Sequence, residues 1–219
     1  MSNSINLKML IVLAIAIFAL TIFILNFLGL YDLANTSEFF RAYSAGVTIT
    51  TSALALLVWQ GWKIPWLKGW LILVPNLNGT WKGSLQSDWI NPKTNEGIGP
   101  IKSILVIKQT LFGMSCVVRT GEMTSYSISA GIERDKNLHI ETLVYNYRSE
   151  PRAGVADRSA IHHGTSVLEF GTNPKWSLTG RYFTERNTTG ELELSFLNRR
   201  TDTQLTAKER KHPASNTQT

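Results

Sequence analysis

WSLTGRYFTERNTTGELELSFLNR, residues Trp176 to Arg199, is the stretch whose reading decides the fold. Two runs with apolar residues at alternate positions, WSLTGRYFTE and GELELSFLNR, flank RNTTG, a cluster of turn-forming residues. Successive side chains of a strand point to opposite faces. Leu178, Gly180, Tyr182, Thr184 and, if the strand persists, Arg186 therefore share one face, and Arg181 and Phe183 the other. The pattern is a β-hairpin.

Working back from this hairpin, the same period recurs in GTWKGSLQS, IKSILVIKQT, MSCVVRT, MTSYSISAGIE, LHIETLVYNY and TSVLEFG. Turn signals separate the runs: LFG before Met114, TGE before Met123, RDKN before Leu138 and GTNPK before Trp176. Eight strands without an intervening helical pattern give an antiparallel meander. Sequential hairpins close most simply into an eight-stranded up-and-down β-barrel, which leaves no open edge; a two-sheet sandwich is the alternative. The one irregular connection, SEPRAGVADRSAIHH from Ser149 to His163, is long enough for a lid or rim loop. After Arg200 the tail TDTQLTAKERKHPASNTQT loses periodicity and reads as disordered, its ERKH cluster serving solubility or an anionic membrane surface.

Ahead of the strands lies MLIVLAIAIFALTIFILNFLGL, Met9 to Leu30, with no charged side chain. At about 1.5 Å per residue it spans roughly 33 Å, enough to cross a hydrocarbon core about 30 Å thick as a helix. A cleaved signal is disfavoured: the apolar run is too long, Lys8 is its only preceding charge and no small-residue cleavage site follows Leu30. After the polar connection YDLANTSEFFR, a second, hydroxyl-rich span runs from about Ala42 to Trp59, where Ala45 and Gly46 suit close packing. Tyr31, Tyr43, Trp59, Trp62, Trp66 and Trp70 stand where interfacial aromatics are expected. Lys8, Lys63 and Lys68 flank the pair on one side, so both termini and the barrel are expected in the cytoplasm. KIPWLKGWLILV, Lys63 to Val74, is too short to span and reads as interfacial. The expected domains are a transmembrane hairpin over residues 1–76, a barrel over 77–200 and a tail over 201–219.

Composition excludes more than it assigns. From Gly79 onward 18 basic residues stand against 14 acidic ones, too mild an excess for coating nucleic acid. The single cysteine, Cys116, excludes an internal disulfide and reads as a buried apolar residue. No phosphate loop, zinc-spaced cluster or nucleophile elbow is present, and His162 and His163, adjacent on a strand, cannot chelate one metal. What remains is a basic and aromatic set comprising Arg119, Tyr126, Arg134, Tyr145, Tyr147, Arg148, Arg152, Arg158, Arg181, Tyr182 and Arg186. Guanidinium groups suit phosphates and tyrosine faces suit bases; equally, tyrosines are good sheet residues and arginines make a solvated exterior. Ser125, Ser127 and Ser129 share a strand face, as do Tyr145 and Tyr147 with Leu143, and parity alone does not say whether such a face is interior or exterior.

The order of parts carries a resemblance: two apolar helices, then GTWKG, QT, a Ser-x-Ser strand, VYNY followed by Pro151, HHGT and LTGRYFTERNTTG. It is similar to the two-transmembrane, β-strand-rich effectors of bacterial cyclic-oligonucleotide antiphage systems (CBASS), and NGTWKG resembles the first strand of lipocalin-type barrels. The resemblance implies a receptor, not an enzyme, with no cofactor and no metal. Its barrel would bind a cyclic dinucleotide second messenger in the cytoplasm, and its helices would then assemble as a homo-oligomer among the lipids of the bacterial inner membrane and breach it. The ligand-binding residues expected are Tyr145, Tyr147, Tyr182 and Arg186, with Ser125, Ser127 and His163 as polar contacts. The competing reading is a membrane-anchored lipocalin-like carrier or structural barrel for an apolar ligand, which would need an apolar interior. A hydrolase lacks any paired carboxylates or nucleophile arrangement.

Overall fold

The protein is described by a computed structural model covering residues 4–210, apart from residues 33, 91–94, 136, 139, 157–158, 174 and 208. Arg158 and the tail beyond Arg210, both considered above, lie outside the described residues. The chain forms two compact units that meet in sequence between Asn76 and Leu77.

The first unit contains α1 (Leu7–Phe27) and α2 (Thr36–Trp59), both long and apolar enough to cross a membrane. Asn6 caps α1, its side chain accepting from the Met9 N–H at 3.4 Å. The helix stops short of Leu30 because the chain turns at Gly29, whose φ of +64° favours a residue without a Cβ. α2 starts well before Ala42, inside the stretch expected to be a loop. Asn35 accepts from the Ser37 N–H at 3.0 Å and Glu38 accepts from the Asp32 N–H at 2.6 Å, an N-cap with an acid three residues on. Against α1, the buried positions of α2 are Ala42 and Gly46 rather than Ala45. A Cβ on Gly46 would stand 2.8 Å from the Phe18 ring, and Phe18 meets Tyr43 edge-on at 5.3 Å. Thr48 and Thr51 return their hydroxyls to the carbonyls of Ser44 and Val47. Trp59 and Trp66 are exposed, whereas Trp62 is buried. The segment after α2 binds the start of the chain: Asn6 N–H donates to Leu71 O and Leu73 N–H to Ser4 O, each at 2.9 Å.

The second unit is a closed antiparallel barrel of eight strands in sequence order. They are β1 (Gly79–Ser87), β2 (Ile101–Gln109), β3 (Met114–Arg119), β4 (Met123–Asp135), β5 (Ile140–Pro151), β6 (His162–Gly171), β7 (Ser177–Thr184) and β8 (Thr189–Asn198). β1 pairs with both β2 and β8, which closes the sheet. The sandwich alternative falls. Two strand readings are corrected. β5 runs to Pro151 and β6 begins at His162, with Ser149 opposite His162 and Arg148 opposite His163, so the irregular connection shrinks to residues 152–161. In β4 the register shifts between Ser127 and Ser129, and the extra residue, Ile128, is exposed. This bulge turns Ser129 outward, where it accepts from Asn146 Nδ2 at 3.0 Å, so Ser129 does not share the face of Ser125 and Ser127.

Closure divides the interior by height. At the end where the chain enters β1, Trp81, Leu105, Ile107, Leu143, Leu168 and Leu178 are fully buried. Trp81 donates its indole N–H to Leu77 O at 3.0 Å and packs edge-on against Phe196 at 5.2 Å and Phe170 at 6.2 Å. This end is an aromatic plug.

The outer face of β1–β3 corrects the reading of the tail. Ile104 and Val106 point outward yet are buried, because Leu205, 4% exposed, lies over them. Thr80 Oγ1 donates to Arg200 O at 2.6 Å, Lys82 forms a salt bridge to Glu209, and Glu209 accepts from the Thr206 N–H and hydroxyl. Residues 201–207, 209 and 210 thus form a strap and not the start of a disordered segment. Apolar side chains on the outside of a strand need cover, and the tail supplies it.

Candidate functional site

The opposite end of the barrel, bearing the loops after β1, β3, β5 and β7, is lined by hydroxyl groups. Parity could not choose the inward face of β5 and β7; burial does. Tyr145 is 2% exposed and Tyr147 and Tyr182 are each 7% exposed, whereas Arg148, Arg181 and Phe183 on the alternate positions are exposed. The tyrosines need Leu143, Leu168 and Leu178 below them and space beside them. Glycines provide that space: a Cβ on Gly164 would lie 2.5 Å from the Tyr147 hydroxyl, and one on Gly190 2.5 Å from the Tyr182 ring. Tyr145 and Tyr147 stand 5.9 Å apart with their rings tilted by 47°.

The hydroxyls pair with one another. Tyr145 is hydrogen-bonded to Ser166, and Tyr182 to Ser87. Ser125 Oγ donates to Ser149 Oγ at 2.9 Å, and Ser127 Oγ accepts from the Cys116 N–H at 2.9 Å. Burial raises the pKa of all three tyrosines, so they stand as neutral O–H donors, and it raises the Cys116 thiol to about 12. Among the described residues, no lysine, arginine or carboxylate faces the interior at this end.

At the rim, Thr189 donates its N–H and its hydroxyl to the Asp88 carboxylate at 2.8 and 2.7 Å, tying the loop after β1 to the start of β8. These bonds hold the Asp88 pKa below its ordinary value. Arg152 donates its N–H to Glu122 O at 2.8 Å, joining the connection after β5 to the turn after β3.

Five of the seven residues expected from sequence come together inside this end: Tyr145, Tyr147, Tyr182, Ser125 and Ser127. The other two do not. β7 ends at Thr184, so Arg186 leaves the face of Tyr182 and sits exposed in the turn, its N–H donating to Thr184 Oγ1 at 3.3 Å; Asn187, at φ 54°, ends the strand there. His163 faces outward, with Nδ1 3.4 Å from Glu185 Oε1 and its N–H donating to that same oxygen at 2.8 Å. Bonding to His163 lowers the Glu185 pKa. His162 takes the inward register, opposite Ser149.

The arginines divide in the same way. Arg148 pairs outside with Glu150 at 3.2 Å, Arg119 stands beside outward-facing Ile104, and Arg134 pairs with Glu141 at 3.7 Å towards the plugged end. Only Arg152 and Arg186 of the described set are at the mouth. The sequence reading missed Ser87, Ser103, Ser149, Ser166 and Thr184. Their signal was a hydroxyl at the second position from an inward apolar or tyrosine residue, as in Tyr147-x-Ser149, Ser166-x-Leu168 and Ser103-x-Leu105.

Two helices long and apolar enough to cross a membrane, followed by a closed eight-stranded antiparallel barrel with a hydroxyl-lined end, define the class of protein. Residues 72–195 match the family described as Cap15, cyclic dinucleotide receptor domain. CD-NTase-associated protein 15 of Staphylococcus schleiferi is 39% identical over 104 residues, 46% of this chain and 53% of that relative. The chain therefore spans about half the length of this curated relative. It belongs to the Cap15 cyclic dinucleotide receptor family, the CBASS type that the order of its parts resembles.

Proposed function

We propose that the protein is an antiphage effector whose barrel binds a cyclic dinucleotide at its hydroxyl-lined end and whose helices then assemble and breach the membrane. The observation that carries this reading is the polar interior: Tyr145, Tyr147 and Tyr182, with Ser125 and Ser127, converge within a barrel whose family is one of cyclic dinucleotide receptors. Tyrosine rings supply stacking faces and their hydroxyls, with the serines, supply hydrogen bonds. Arg186 at the rim supplies a phosphate partner, and His163 is the peripheral polar contact.

In this reading the barrel and both termini are cytoplasmic, the helices cross the inner membrane, and the activated state is a homo-oligomer in contact with lipid. Assembly follows only if the ligand binds the assembled form more tightly than the resting one, because equal affinity shifts nothing. The carrier alternative requires an apolar chamber, and the ring of serines and tyrosines speaks against it.

The test is titration of the full chain in detergent with a panel of cyclic dinucleotides, followed by cross-linking and dye release in loaded vesicles. Binding of at least one nucleotide, with cross-linked species and dye release that depend on it, is expected. Binding of fatty acid or retinoid in place of any nucleotide would overturn the receptor reading.

A further inference from the structure

The inward serines of the polar end are satisfied by protein partners with one exception. Ser87, Ser125, Ser127, Ser149 and Ser166 are each hydrogen-bonded. Ser103 is 0% exposed and its Oγ has no hydrogen-bond partner among the described residues. A buried hydroxyl left unpaired is unfavourable, and a native interior holds few of them. Nothing local calls for a serine here. The inward neighbours on β2 are Ile101, Leu105 and Ile107, and across the sheet stands Gly83, so an alanine would continue the apolar pattern.

The second observation is where charge is absent. At the described interior positions of this end the side chains are serine, threonine and tyrosine with apolar neighbours, and His162 in the inward register at the edge; Arg148 and Arg181 point to solvent and Arg152 and Arg186 stand at the mouth. A phosphodiester carried past that edge would be a buried anion among hydroxyls and apolar groups, with no lysine or arginine facing it among the described residues, which is costly. A base edge or a ribose hydroxyl is neutral, needs donors and acceptors of the kind a serine offers, and stacks on tyrosine.

Resting on the receptor reading above, we propose that Ser103 is a ligand-contacting residue, and that a cyclic dinucleotide enters with a nucleoside leading and its phosphates left at the rim. The unpaired Oγ is the hydrogen-bonding group that the inserted base or ribose meets. Tyr147 and Tyr182 flank the inserted nucleoside, and Arg152 and Arg186 face the phosphates.

The test uses the full chain in detergent, the cyclic dinucleotide that binds it best, and three variants: Ser103→Ala, Ser103→Cys and the double variant Arg152→Ala with Arg186→Ala. For Ser103→Ala, affinity is expected to fall about tenfold while the melting temperature without nucleotide stays the same or rises, since an unpaired buried hydroxyl has been removed. Ser103→Cys, which keeps the volume, should lose affinity similarly. The double arginine variant should bind more weakly and lose most of the salt dependence of binding, whereas Ser103→Ala keeps that dependence. A melting temperature lowered in both Ser103 variants would make Ser103 structural and overturn the proposal, and so would affinity within twofold of the original. Unchanged affinity and salt dependence in the arginine variant would overturn the orientation. If the unaltered protein binds no cyclic dinucleotide, the receptor reading falls and takes this inference with it; if it binds and only the variants behave otherwise, the receptor reading stands alone.

Discussion

The two ends of this barrel are built from the same strands and the same alternation, yet one is an aromatic plug and the other is lined by hydroxyls. Trp81 and Tyr182 both face inward and both are buried, but Trp81 has its polar atom tied to a backbone carbonyl and its ring locked among Phe170 and Phe196. Tyr182 has its hydroxyl on a serine and its ring over a glycine. The plugged end holds the fold through packing. The polar end is held by hydrogen bonds among side-chain hydroxyls and the backbone, groups that in the proposed site would meet the ligand.

The largest expected effect breaks the plug. Trp81→Ala should destabilise the barrel by about 3–5 kcal/mol in denaturant unfolding, measured on residues 77–210 so that the strap is kept. A loss below about 1 kcal/mol would mean the plug is not what holds the barrel together. Next is the rim: if Arg186 meets a phosphate, Arg186→Ala should cost about 1.5–3 kcal/mol of nucleotide affinity with no change in melting temperature, since its side chain is exposed in a turn. An unfolded barrel or an unaltered affinity would remove Arg186 from the site.

Tyr182→Phe should do less, about 0.5–1.5 kcal/mol of affinity, because the ring and its stacking face remain. Stability should hardly move, and a large fall in melting temperature would erase the contrast between the two ends.

The smallest effect concerns the strap. Bonding to Lys82 and Thr206 holds the Glu209 carboxyl at about 2, below its unfolded value. The pairing is therefore fully present above the unfolded pKa, near 4.5, and is lost as pH falls through about 2. As a part-buried pair at the surface it should contribute about 1 kcal/mol. Amide exchange at Leu205 should quicken over that window, and Glu209→Gln should flatten the dependence; quickening in the variant as well would assign the acid sensitivity to another group.

Strand number, order and closure were legible because period and turn chemistry are local: each run announced itself through alternation, and Gly, Asn, Asp and Pro marked the turns between them. The two helices were legible from length and apolar content, and the start of α2 could have been read from Asn35 and Glu38. Which strand face became the interior was not legible, since alternation fixes two sets of residues but burial of one set follows only when eight strands close around it. The bulge at Ile128, which sends Ser129 outward, depends on the register between β4 and β5. The end of β7, which takes Arg186 from Tyr182, follows from a turn locked by the Thr184 and Thr188 hydroxyls, 2.6 Å apart. The strap depends on Ile104 and Val106 lying beside Thr80, residues distant in sequence from Leu205. Local chemistry in the chain determined the barrel, whereas pairings across many residues decided its inside, its rim and its cover.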